Sequence, residues 1–103
     1  MDTVLAAVAD PTRRLLLERL RARGASSISD LGAGLPMTRQ GVSKHLDMLR
    51  VAGLVKVRKV GREHIHELDA GPLRDVEDWL RPYEEFWDAR IAALRRHLGE
   101  DGA

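Results

Sequence analysis

Between Thr38 and Leu68 the spacing of apolar residues changes once, from helical to alternating, and that single change leaves few folds open. Val42, Leu46, Leu49 and Gly53 stand four, three and four residues apart. That spacing makes one stripe along a helix running from about Thr38 to Ala52. From Leu54 to Val60 apolar and polar residues alternate instead, Gly61-Arg62 supplies a two-residue turn with glycine first, and Glu63 to Leu68 alternates back. If those two residues are the turn, Val60 faces Glu63, Arg58 faces Ile65 and Lys56 faces Glu67. On the other face Lys59 meets His64, Val57 meets His66 and Val55 meets Leu68. An amphipathic helix thus feeds directly into a short hairpin with an apolar base and a basic tip.

The chain before this segment reads as three more helices. Val4, Leu5 and Val8 give a short first one. Asp10-Pro11 is an N-cap followed by proline at the first helical position, and Gly24 sits where a C-terminal cap belongs, so a second helix lies between them. Leu15, Leu16, Leu17 and Leu20 form its wide apolar face. Ser29 is the expected N-cap of a short third helix carrying Leu31 and Leu35. Gly32 and Gly34 weaken that helix by about 1 kcal/mol each relative to alanine. Pro36 forces a tight turn, and Thr38 is the next N-cap. A short helix, a turn and a helix with an apolar back and a hydrogen-bonding front is the helix-turn-helix layout, here over residues 29–52. The hairpin at 54–68 then takes the place of a wing.

After the loop Asp69-Ala70-Gly71-Pro72, helical spacing resumes over residues 73–98 through Val76, Trp79, Leu80, Tyr83, Phe86, Trp87, Ile91, Leu94 and Leu98. All four aromatic residues of the chain fall in this segment. Pro82 is expected to kink or split it. The fold class is therefore α+β and mostly helical: a winged helix-turn-helix with a two-stranded wing and a long C-terminal helix. At 103 residues the chain is expected to be a single domain.

A net charge of +1 conceals a strong asymmetry. From Pro36 to Arg62 there are seven basic residues (Arg39, Lys44, Arg50, Lys56, Arg58, Lys59 and Arg62) against one acid, Asp47. The remainder of the chain is acidic. A basic middle on a helix-turn-helix is the electrostatic footprint expected for double-stranded DNA. On the helix, Gln40 can pair with adenine, Arg39 can take guanine or phosphate, and Ser43 and Lys44 suit a base edge or the backbone. Thr38 stands at the entrance. His45, at the edge of this face, suits a phosphate or a local hydrogen bond. On the wing Lys56, Arg58 and Lys59 suit phosphate, while Arg62 at the turn suits a minor groove. The blander reading of each charge, a solvated surface, is strongest for Lys56, which lies opposite Glu67.

One small domain cannot easily cover both sides of a seven-turn aromatic helix. Half of that surface should meet a partner, most simply a second copy of the chain. Leu5, Trp79, Tyr83, Phe86, Trp87, Ile91 and Leu94 are the candidate dimer residues, in helices at 1–9 and 73–98. Some of them could instead form an intramolecular core, or Trp79, Tyr83 and Trp87 could line a ligand pocket. The absence of cysteine excludes disulfides, thiolate metal sites and cysteine nucleophiles. His64 and His66 share a strand face but lack a third ligand nearby, so no metal site is expected. No paired carboxylates, Ser-His-Asp set or phosphate loop appears, and neither catalysis nor a cofactor is expected. No apolar run approaches the roughly 20 residues of a membrane span and no secretory leader is visible, so a cytoplasmic protein is expected.

The residues resemble the ArsR-type winged-helix repressors along nearly the whole chain. Asp10-Pro11-Thr12-Arg13-Arg14-Leu15 resembles that family's early helix. Gly41-Val42-Ser43-Lys44-His45-Leu46, with Leu49 and Ala52-Gly53-Leu54-Val55, resembles its recognition helix and the entry to its wing, and Gly61-Arg62 its wing turn. Trp79-Leu80, Tyr83 and Phe86-Trp87-Asp88 are similar to the last helix of a cysteine-free subgroup. The resemblance implies a homodimer built from the terminal helices that represses by binding an inverted repeat, often in its own operon. Where metal-sensing members carry paired cysteines, this chain has Ser27 and Ser29. Their other site is also broken, because Asp88 is followed by Arg90 and the pair His97 and Glu100 is out of register. His66 stands where many relatives have tyrosine. The effector, if one exists, is unknown. A metal- or small-molecule-responsive sensor of the same fold, or a winged helix that binds protein, are the alternatives.

Overall fold

The computed structural model describes residues 1–99. Its elements run α1 (Asp2–Val8), α2 (Pro11–Arg23), β1 (Ser26–Ser27), α3 (Ile28–Gly32), α4 (Arg39–Val51), β2 (Val55–Val60), β3 (Glu63–Leu68) and α5 (Leu73–His97). Local chemistry sets most of the boundaries. Asp10 accepts a 3.0 Å hydrogen bond from the Arg13 amide, and Pro11 opens α2 behind it. Thr38 caps α4 in the same way, accepting from the Gly41 amide at 3.0 Å. Gly53, at φ +81°, ends that helix and turns the chain into β2. A side chain with a Cβ is strained in that left-handed region. The hairpin register agrees with the alternation, from Val55 opposite Leu68 to Val60 opposite Glu63.

Three local expectations need correction. The sheet has three strands, in the order β1-β3-β2, because Ser26 pairs with His66 and Ser27 with Ile65. Two residues are too short a run to show alternation. The cap of α3 is Ser27, whose hydroxyl accepts from the Asp30 amide at 3.2 Å; Ser29 is exposed inside the helix. Ser27 leaves β1 in an extended conformation, so the strand end and the helix start coincide. Pro82 neither splits nor ends α5, which is one helix of 25 residues. The turns around Pro82 are exposed, so the carbonyl its ring deprives of a partner can bond to water.

The core lies between α2, α3, α4 and the base of the hairpin. Leu16, Leu20, Leu31, Leu46, Leu49 and Leu54 fill it, with Val42 and Val55 at its edge and Val4 and Ala7 closing it from α1. Leu15 stays partly exposed, so the buried stripe of α2 is narrower than its leucine run suggests. Arginines of α2 fasten the neighbouring helices. Arg13 donates to the carbonyls of Ala7 and Ala6 at 2.6 and 3.1 Å, and Arg14 to those of Val8 and Ala9 at 2.8 and 3.2 Å. These are the acceptors that the end of α1 leaves unpaired. Arg19 does the same for α3, reaching the Leu31 and Ala33 carbonyls at 2.7 and 2.8 Å. The turn before α4 is therefore tied back to the core.

Candidate nucleic-acid interface

The buried stripe of α4 is Val42, Leu46 and Leu49. Helical geometry then dictates what faces outward. Arg39, Gln40 and Lys44 are exposed, and Ser43 is half-buried on the flank toward the hairpin. Thr38 is exposed, with its hydroxyl oxygen engaged by the Gly41 amide. His45 turns to the opposite flank. Its Nδ1 lies 3.5 Å from the Arg13 guanidinium and 3.9 Å from the Asp10 carboxylate. Of its two expected uses it shows the local one. The Arg13 amide above all holds the Asp10 carboxyl below the usual carboxylate range, with the Arg13 and His45 charges adding to that. The outward face also continues through Met48 and Val51, which the sequence reading passed over. The wheel that turns Gln40 and Lys44 outward turns these two outward as well.

On the hairpin, Lys56, Arg58, Lys59 and Arg62 are all exposed. Lys56 has a carboxylate within reach, Asp69 at 3.5 Å rather than the facing Glu67. Among the described residues Arg58, Lys59 and Arg62 make no ion pair, so their charge is available to a ligand. The basic helix front and the basic hairpin together form one cationic side, with an exposed carboxylate, Asp47, 3.8 Å from Arg50.

His64 and His66 differ sharply although they share a strand. His64 is exposed, whereas His66 is 4% exposed and its Nδ1 has no hydrogen-bond partner. Among the described residues no three histidines, aspartates or glutamates are placed to hold a metal ion. Ser27 spends its hydroxyl on the α3 cap, and Glu100 lies outside the described residues. Burial pushes the His66 imidazole below its ordinary value of 6.5, reinforced by His64, against smaller opposing effects of the His64 backbone and Asp47. The fold therefore holds His66 neutral while the unfolded chain takes up a proton near that value. Stability against urea should fall as the pH drops through 6.5 and level off below the folded-state value. A His66→Phe variant should lack that part of the acid loss; an unchanged pH profile would contradict it.

The aromatic helix is not core at all. Trp79, Tyr83, Phe86, Trp87 and Ile91 are about half exposed, Leu94 slightly more, and Leu5 of α1 is partly exposed. No residue of α5 is buried, and only Leu73 and Val76 pack against the core cluster. The expectation that some aromatics would form an intramolecular core thus fails for every one of them. Trp79 and Tyr83 touch with ring centroids 5.3 Å apart, and Arg90 sits 4.8 Å above the Phe86 ring. These residues form an open stripe rather than the lining of an enclosed pocket.

Comparison with known proteins covers this whole architecture. A helix-turn-helix domain family matches residues 8–58, from the end of α1 into β2. The HTH-type transcriptional regulator Rv2034 of Mycobacterium tuberculosis is 33% identical over 101 residues, 98% of this chain and 91% of that protein. The structure of an ArsR-like transcriptional regulator from Rhodococcus sp. RHA1 is 37% identical, covers 92% of this chain and 89% of its own, and has a TM-score of 0.68. A homodimeric winged helix-turn-helix DNA-binding domain from Mycobacterium bovis is 25% identical, with 93% and 82% covered and a TM-score of 0.61.

Proposed function

This chain belongs to the ArsR-type transcriptional regulators, with a helix-turn-helix DNA-binding domain, and from that premise we propose that it is a cytoplasmic homodimeric repressor of an inverted-repeat operator. The observation that carries the dimer is α5 itself, 25 residues bearing every aromatic of the chain and burying none of them. An apolar stripe of that length is stable in water when a second copy covers it. Leu5 on α1 adds to the same surface. The homodimeric assembly of the M. bovis domain supports this reading. Residues 1–103 act as one winged helix-turn-helix domain in it. Two copies of α4 then enter successive major grooves about 34–36 Å apart, so the half-sites lie one helical turn from each other. Occupying such a site excludes other proteins from it, which makes repression, including of its own operon, the natural outcome.

Within each half-site, Gln40 and Lys44 read the groove from the centre of the outward face, with Arg39 at its entrance and Ser43 on its flank. The wing cations Lys56, Arg58, Lys59 and Arg62 bind the backbone and the adjacent minor groove. Gln40→Ala should lose about 1–3 kcal/mol of discrimination at one base pair and little affinity for unrelated duplex. Lys44→Ala should weaken both. Competition binding with single-base operator variants measures the difference, and a Gln40→Ala protein with unchanged base preference would remove Gln40 from the reading face.

A further inference from the structure

Between α4 and the hairpin lies a cleft of about 270 Å³. Ser43, Asp47 and Arg50 line it from the helix, and Val57, His64 and His66 from β2 and β3. Its walls belong to the two elements that would enter two different grooves of a duplex. In B-form DNA a major groove and its neighbouring minor groove are separated by one sugar–phosphate strand. A molecule with α4 in the first and Arg62 at the hairpin tip in the second must straddle that strand. The gap between helix and hairpin is where the strand passes.

We propose that this cleft seats a phosphodiester of the straddled strand, with the Arg50 guanidinium and the His64 imidazole as its donors and the Ser43 hydroxyl beside them. The proposal rests on the DNA-binding reading above and adds a site to it. Arg50 is suited to the role because it is unsaturated. Its nearest charge partner, Asp47, is 3.8 Å away, too far for a good hydrogen bond, and both side chains are more than half exposed. A guanidinium has five N–H donors, so Arg50 can keep Asp47 near and still offer a bidentate face to phosphate. His64 is exposed on the opposite wall. Val57 and the buried, neutral His66 close the floor without adding charge. Asp47 opposes an anion, which fixes the sign of its own substitution.

The test is equilibrium binding of the full chain to its own upstream DNA and to a scrambled duplex, over a range of potassium chloride concentrations. Arg50→Ala should weaken both duplexes equally, by about tenfold, since a phosphate carries no sequence information. It should also lower the slope of log affinity against log salt by about 0.9. Arg50→Lys should restore most of that slope, His64→Ala should weaken both duplexes alike, and Asp47→Asn should strengthen both. The assignment is overturned if Arg50→Ala matches the unaltered protein in affinity and slope while Lys44→Ala remains weakened. It is equally overturned if Arg50→Ala loses affinity for one duplex alone, because that would make Arg50 a base contact. An unaltered protein that binds neither duplex would overturn the DNA-binding reading itself.

Discussion

Replacing Trp87 with glutamate should leave the fold intact, yield an 11.5 kDa monomer in light scattering, and cut affinity for a two-half-site duplex by about 10²–10⁴-fold. Trp87 is half exposed and contributes nothing to the buried core, so the substitution leaves the packing of a single chain untouched. It lies in the middle of the α5 stripe, between Trp79, Tyr83 and Phe86 on one side and Ile91 and Leu94 on the other. A carboxylate there would have to be stripped of water to enter an apolar interface, and nothing on the stripe compensates it. The DNA effect follows from linkage. In a dimer the second half-site is bound within an already formed complex, at an effective concentration far above that of free protein. A Trp87→Glu protein that stays dimeric would show that this face is not the interface.

The second large effect concerns stability rather than assembly. Leu49 is fully buried on the back of α4. Leu49→Ala removes its contacts and leaves a cavity, which should cost about 2.7–5.0 kcal/mol. A domain of this size holds on the order of 5–15 kcal/mol in total, so the variant should be marginal. Its neighbour Met48 is half exposed, and Met48→Ala should stay within about 0.5 kcal/mol of the parent. Urea unfolding should show the Leu49→Ala midpoint falling with an unchanged slope, and Met48→Ala nearly superimposed on the parent. Equal losses from the two would contradict the orientation of α4 on which the reading face depends.

That orientation was the most legible feature of the sequence, for a local reason. Thr38, the apolar spacing of Val42, Leu46 and Leu49, and the glycines at 53 and 61 each act within a few residues. Together they determine the helix, the exit from it and the hairpin register. What escaped the sequence depends on partners distant along the chain. Ser27 and Ser29 look alike until the pairing of Ser27 with Ile65 places one of them at the strand end. Arg13, Arg14 and Arg19 look like surface charge, yet each holds carbonyls of another helix, which no local pattern reveals. His45 sits at the edge of the helical wheel, and only the docking of α2 brings Asp10 and Arg13 to it. Spacing shows that α5 has an apolar stripe, but a stripe facing a core and a stripe facing a second molecule have the same period. The exposure of every aromatic on it decides between them.

The central claim is that the basic side formed by α4 and the hairpin binds duplex DNA specifically. Titrating the dimer against its own upstream DNA and against an unrelated duplex of equal length, over a series of salt concentrations, tests it most directly. Several phosphate contacts per subunit predict a steep fall of log affinity with log salt, by about 0.9 per contact, and a clear preference for the upstream duplex at every salt concentration. A flat salt dependence, or equal affinity for both duplexes, would contradict it.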